Sequence, residues 1–186
     1  MPGQVVSADL HLVRPFAEGV LLAVVDGLGH GKEATAAASM AIGVLERHAT
    51  EPVDALFTRC HVALAKSRGV VMTLASLRSR DNRVTRLGVG NVESVLLRVT
   101  AKTSAEWGVL RGGVVGYHLP ELRVTVTSIA PGDLLVFATD GIRAGFTEGW
   151  SRVDPPEQIA RRIVERHFKG TDDALVLVVR YLGAAP

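Results

Sequence analysis

Apolar and polar positions alternate at the start of the chain. Val6, Ala8, Leu10 and Leu12 interleave with Val5, Ser7, Asp9 and His11, which is the period-two pattern of a strand with one buried face. Residues 19–25 are almost continuously apolar and read as a second, more deeply buried strand. The period then changes. Residues 32–48, KEATAAASMAIGVLERH, are rich in helix formers, and residues 53–66 carry Leu56, Phe57, Cys60, Ala63 and Leu64 at helical spacing, so two consecutive helices are predicted. Strand patterns follow at 70–77, 84–89, 92–99, 107–110, 122–129 and 134–138, separated by turn residues. The segment PPEQIARRIVERHF predicts a third helix with prolines in its first turn, and residues 174–181 form a last strand.

Strands joined by short turns must be antiparallel, because a parallel pair needs a longer crossover. Two strands, two helices, a run of strands, one helix and one strand therefore predict an α+β fold in which antiparallel sheets carry helices on their outer faces. A doubly wound parallel sheet would need a regular strand–helix alternation that is missing.

Composition narrows the picture. The 186 residues, 47% of them apolar, suit a single domain spanning residues 1–186 with a sizeable core. Cys60 stands alone, which excludes an internal disulfide framework. No basic segment followed by a long apolar stretch opens the chain, and no apolar run approaches the roughly 18 residues of a bilayer span. The expectation is a cytoplasmic protein with no membrane association. Net charge is only +2, with arginines scattered, and aromatics make up 5% of the chain, so neither a basic patch nor a stacking platform for nucleic acid is expected. The one dense basic group, SRDNRVTR at 79–86, centres on a turn signal and reads as a solvated hairpin tip.

Candidate chemistry lies where strands meet loops. LAVVDGLGHGKE runs apolar residues into Asp26 and then places Gly27, Gly29 and Gly31 within five positions. LLVFATDGIRAG puts Asp140 at the end of another apolar strand, TDDALVLVVR puts Asp172 and Asp173 before a third, and SADLHL carries Asp9. If these strands are neighbours, four or five carboxylates converge on one rim. Like charges so close raise one another's pKa, and a divalent cation removes that cost. Carboxylates and carbonyls are hard oxygen ligands suited to Mg²⁺ or Mn²⁺, whereas zinc would call for clustered His and Cys. A dinucleotide turn fits poorly, since the spacing is GLGHG, and Lys32 is followed by Glu33, so a P-loop does not fit either.

In this order and separation, VVDGLGHG, GVGNVESVLLR, FATDGI and TDDALVLVV resemble the bacterial SpoIIE-type branch of the metal-dependent PPM Ser/Thr protein phosphatases. RGVVMTLASL resembles that branch's RG-x-x-x-S-x-L segment, and the resemblance spans nearly the whole chain. It implies two antiparallel sheets sandwiched between pairs of helices. It also implies two metal ions, Mn²⁺ or Mg²⁺, with Asp26 bridging them, the Gly27 carbonyl completing one sphere, Asp140 and Asp172 on the other ion, and Asp9 close by through water. Asp26, Asp140 and Asp172 would be the catalytic set. Asp173 occupies a variable position of its motif. The implied activity is hydrolysis of phosphoserine or phosphothreonine by a water activated between the ions. The implied substrates are phosphorylated STAS-domain proteins of a stressosome-like complex.

The chain also departs from the family pattern. Ser7-Ala8 stand where Gly-Gly or Cys-Gly is common, Gln4-Val5-Val6 lack the phosphate-binding arginine of eukaryotic relatives, and Leu28 replaces the histidine of a DGH motif. His30, two residues later, reads as a solvent-facing loop residue before it reads as a proton donor. These departures keep a second reading open, a catalytically weak binding module docking on the same partners. Asn91 in the GVGN segment is a candidate to orient a ligand.

Overall fold

The computed structural model describes residues 7–100 and 105–183. The strand expected from Val5 therefore starts outside the described residues, and β1 runs Asp9–Phe16. It is followed by β2 (Gly19–Gly27), α1 (Lys32–Arg47), α2 (Val53–Leu64), β3 (Val70–Arg78), β4 (Arg83–Val89) and β5 (Glu93–Leu97). Then come β6 (Ala105–Trp107), β7 (Leu110–Arg111), β8 (Thr125–Ser128), β9 (Leu134–Ala138), α3 (Pro156–His167) and β10 (Val176–Arg180).

Two sheets result. One has the order β1-β2-β3-β4-β7, with β8 also on β4; the other has the order β10-β9-β5-β6. All pairings are antiparallel except β4 with β7, where Gly88 and Val89 run parallel to Leu110 and Arg111. The sequence predicts one strand over 107–110. Instead the chain leaves β6 on one sheet at Trp107 and joins the other sheet at Leu110, so the apolar run is divided between two layers.

The alternation of each strand assigns its side chains to layers. Leu21, Ala23 and Val25 of β2 face α1 and α2, in a cluster with Leu45, Phe57 and Leu64. Leu22 and Val24 face the other way, into an inter-sheet core with Ala75, Leu96, Leu135 and Phe137. Leu134, Val136 and Ala138 of β9 pack outward against Ile159 and Ile163 of α3. The layers are thus helix pair, sheet, sheet and helix, as the α+β expectation required. The last layer differs in detail: among the described residues it holds α3 alone, and the non-helical segment 142–150 buries Ile142 and Phe146 beside it.

The alanine-rich α1 is packed closely, with Ala34, Ala37, Ala38 and Ala41 all buried. Cys60 is a fully buried apolar neighbour of α1, and burial pushes its thiol up to about 12. The arginine-rich hairpin tip at 80–83 is exposed, in keeping with a solvated turn.

Candidate active site

Strand register brings the first two carboxylates together. Asp9 at the start of β1 lies directly opposite Asp26 near the end of β2. Asp26 continues the alternation of Leu22 and Val24, so it lies on the inter-sheet side of its strand. On the second sheet, Leu135 and Phe137 share that inter-sheet face, and Thr139 and Asp140 follow where β9 ends. Asp172 and Asp173 precede β10, the antiparallel neighbour of β9. The two sheets therefore deliver Asp9, Asp26, Asp140, Asp172 and Asp173 to one cavity of about 350 Å³.

Glycines permit this convergence at two close approaches. A Cβ on Gly27 would lie 2.2 Å from the Ala34 carbonyl oxygen, so a side chain there would push α1 off the strand end. A Cβ on Gly141 would lie 1.9 Å from the carbonyl oxygen of Asp173, so the Asp140 turn and the Asp172–Asp173 loop can meet only over a glycine.

Hydrogen bonds fix several of the acids. The Asn91 side-chain amide donates to Asp140 Oδ2 at 2.8 Å. The Ala8 backbone N–H donates to Asp173 Oδ2 at 2.9 Å, tying the start of the first strand to the second sheet. The Thr139 hydroxyl donates to Asp9 Oδ2 at 2.7 Å. Asp172 stays exposed and accepts from the backbone N–H of Asp173 at 2.8 Å. Gly27 is buried, and its N–H donates to the Ala8 carbonyl at 3.1 Å.

Burial of Asp26 raises its pKa to about 7, with repulsion from Asp9, Asp140 and Asp172 adding to the effect. Burial likewise raises Asp9, to about 6, against a lowering contribution from the Thr139 hydroxyl. Among the described residues no lysine or arginine lines the cavity. Arg68 packs outside it, beside Gly29, and is paired with Glu33 at 2.5 Å. His30 is exposed at the cavity wall, as a loop histidine would be.

An uncompensated set of carboxylates is the donor chemistry of a hard divalent cation. Among the described residues, no three of these side chains are gathered tightly enough to enclose an ion by themselves. An ion such as Mg²⁺ would keep several of its waters there and take only one or two carboxylates from the protein.

The sequence reading did not single out Thr139. Its signal was present: positions 135, 137 and 139 share one face, so the residue before Asp140 had to point between the sheets.

A model of the family described as Stage II sporulation protein E (SpoIIE) matches residues 17–182. The chain belongs to the SpoIIE family. Among its relatives, it is similar to the phosphoserine phosphatase RsbX of Bacillus subtilis (strain 168), with 27% identity over 94 residues, or 50% of this chain and 47% of RsbX. That match spans about half the length of the relative. In three dimensions it is similar to a chain from a structure of the bacterial stressosome, described as a modular system adapted to control secondary messenger signaling. The TM-score is 0.84 at 29% identity, covering 96% of this chain and 94% of that one. A crystal structure of RsbX in complex with magnesium gives a TM-score of 0.81 at 20% identity, covering 95% and 88% of the two chains. This SpoIIE-family chain thus shares the fold of both structures.

Proposed function

We propose that this SpoIIE-family protein is a Mn²⁺- or Mg²⁺-dependent phosphatase of phosphoserine and phosphothreonine in proteins. The observation that carries the proposal is the convergence of Asp9 and Asp26 from one sheet with Asp140 and Asp172 from the other on a cavity that, among the described residues, no lysine or arginine lines. Asp26, Asp140 and Asp172 would hold two ions, with the Gly27 carbonyl and Asp9 alongside. When bound, such ions acidify water and neutralise charge on a phosphoryl group.

The chain's own groups do the positioning. Asp26 is half-buried; Asn91 holds Asp140 by its hydrogen bond; Asp172 and Asp140 are exposed, where a phosphorylated segment would meet them. A protein nucleophile is not required, and the buried thiol of Cys60 lies away from the cavity. Asp140 and Asp172, which line the cavity, are exposed, and this suits a residue presented on a folded partner. The names of the similar proteins support a phosphorylated component of a stressosome, and family resemblance specifies its STAS-domain proteins.

The test is hydrolysis of p-nitrophenyl phosphate and of a phosphorylated STAS-domain protein with Mn²⁺, Mg²⁺ or chelator. Turnover should require metal and fall by three orders of magnitude or more in Asp140→Asn, whose circular dichroism should match the wild type. Near-normal turnover in that variant would refute the assignment. Metal binding without turnover on either substrate would favour the docking-module reading.

A further inference from the structure

Thr139 is nine-tenths or more buried, at 2% exposure, and its hydroxyl joins both sheets at the rim of the site. The Leu175 backbone N–H donates to Thr139 Oγ1 at 2.9 Å, and Thr139 Oγ1 lies 2.7 Å from Asp9 Oδ2. The direction of both bonds follows from the donors available. An amide N–H can only donate, so the hydroxyl accepts from Leu175 and turns its single proton toward the Asp9 carboxylate. The backbones of Thr139 and Leu175 are also bonded, Thr139 N–H to the Leu175 carbonyl at 3.1 Å. The hydroxyl is therefore anchored on the second sheet while it holds an acid of the first.

Within its own sheet the Asp9 carboxyl is hydrogen-bonded to the Asp26 carboxyl, a contact that lasts only while one of the two holds a proton. Its register partner, Asp26, is another acid, and cross-strand like charges repel. When both are ionised, the Thr139 hydroxyl is the contact that restrains Asp9 against that repulsion. With it, Asp9 Oδ2 is committed and one oxygen remains for the cavity.

We propose that Thr139 is a positioning residue that clamps Asp9 of the first sheet to the Asp140 turn of the second, and so sets the spacing of the cation site. The proposal rests on the reading of the cavity as a divalent-cation site. It predicts that loss of the hydroxyl acts on metal affinity through Asp9, while loss of a mere packing contact would not.

The experiment measures Mn²⁺ affinity of the full chain by isothermal titration calorimetry, with melting temperature in chelator as the folding control. Thr139→Val, which keeps the side-chain shape, should weaken Mn²⁺ binding about 10-fold or more, the usual size of an outer-shell loss. Thr139→Ser should recover affinity to within about threefold. In an Asp9→Asn background, Thr139→Val should have little further effect, because the group it positions is already altered. Should Thr139→Val fail to fold, the Thr139→Ala and Thr139→Ser pair carries the same comparison. Wild-type affinity in Thr139→Val, or an equal loss with and without Asp9, overturns the positioning role. A wild-type chain that binds no Mn²⁺ would instead overturn the cation-site reading, and the positioning role with it.

Discussion

Strand β9 has an aspartate at each end, and the two ends handle buried negative charge in opposite ways. At its start, Asp133 is 1% exposed and fully accommodated: Arg98 Nη1 donates to it at 3.0 Å, the Val99 N–H at 3.0 Å and the Ala130 N–H at 2.9 Å. Arg98 also pairs with Glu106 on β6, which the charge of the nearby Arg86 attracts as well, so two cations face the two acids within the fold. At the far end, buried Asp9 and half-buried Asp26 lie beside Asp140 and Asp172, and no lysine or arginine among the described residues lines their cavity. Asp9 and Asp26 are raised, to about 6 and about 7, chiefly by burial. A carboxylate whose counter-charge is built in serves the fold. On the proposed reading, a group of carboxylates without a built-in counter-charge takes one from solution.

The sharpest way to break this comparison is to neutralise one acid at each end. Asp26→Asn should abolish metal-dependent phosphatase activity, by a factor of about 10³ or more, while leaving the melting temperature of the chelated protein unchanged or slightly higher. The higher value is expected because the substitution removes a repulsive charge. Steady-state kinetics and thermal melting in chelator read the two quantities separately. An Asp26→Asn protein that retains a tenth of wild-type turnover, or that melts much earlier, would mean the rim acid is structural.

At the other end the effects should be reversed. Asp133→Ala removes one of the two carboxylates that Arg98 pairs with and leaves two backbone donors without their acceptor, and two such unsatisfied donors together cost about 3 kcal/mol. For a chain of this size that corresponds to a melting temperature lower by roughly 6–12 °C. Turnover per folded molecule and Mn²⁺ affinity should stay near wild type at a temperature where the variant is folded. A variant with intact stability and lost metal binding would erase the distinction between the two ends.

These two ends were not equally legible in the sequence. Asp26 and Asp140 stood out because each ends an apolar run and is followed by glycine, a combination that packing does not explain. The layer assignment also followed from alternation, since consecutive strands with short turns can only be antiparallel. Asp133 gave no such signal: in APGDLL it looks like an ordinary turn acid, and its partner Arg98 lies 35 positions away, so only the β5–β9 pairing brings them together. The split of residues 107–110 between two sheets was hidden for the same reason. Hydropathy records that a segment is apolar, not which of two apolar layers takes it. Thr139 was overlooked because a threonine before Asp-Gly fits a strand end on propensity alone, and its role depends on an acid 130 positions earlier.

The smallest expected effect concerns pH, and it bears on the comparison without any metal present. An aspartate carries a pKa near 3.8 before folding, and in the folded chain Asp9 and Asp26 rise to about 6 and about 7. Between about pH 4 and pH 7 these two groups therefore bind more protons in the folded state than in the unfolded state, so their contribution to stability falls as pH rises through that window. Below it both states are protonated, and above it both are ionised, with the full cost of the buried charge in place. In chelator, the wild-type chain should melt a few degrees lower at pH 8 than at pH 5.5, and Asp26→Asn should flatten that slope. Added Mn²⁺ should raise the wild-type melting temperature more at pH 8 than at pH 5.5, since cations compete with protons for the same oxygens. Asp133→Ala should leave the slope as it is in the wild type, its charge having been balanced internally. Identical slopes in wild type and Asp26→Asn would show that the rim carries no uncompensated charge, and the contrast between the two ends of β9 would fail at its physical root.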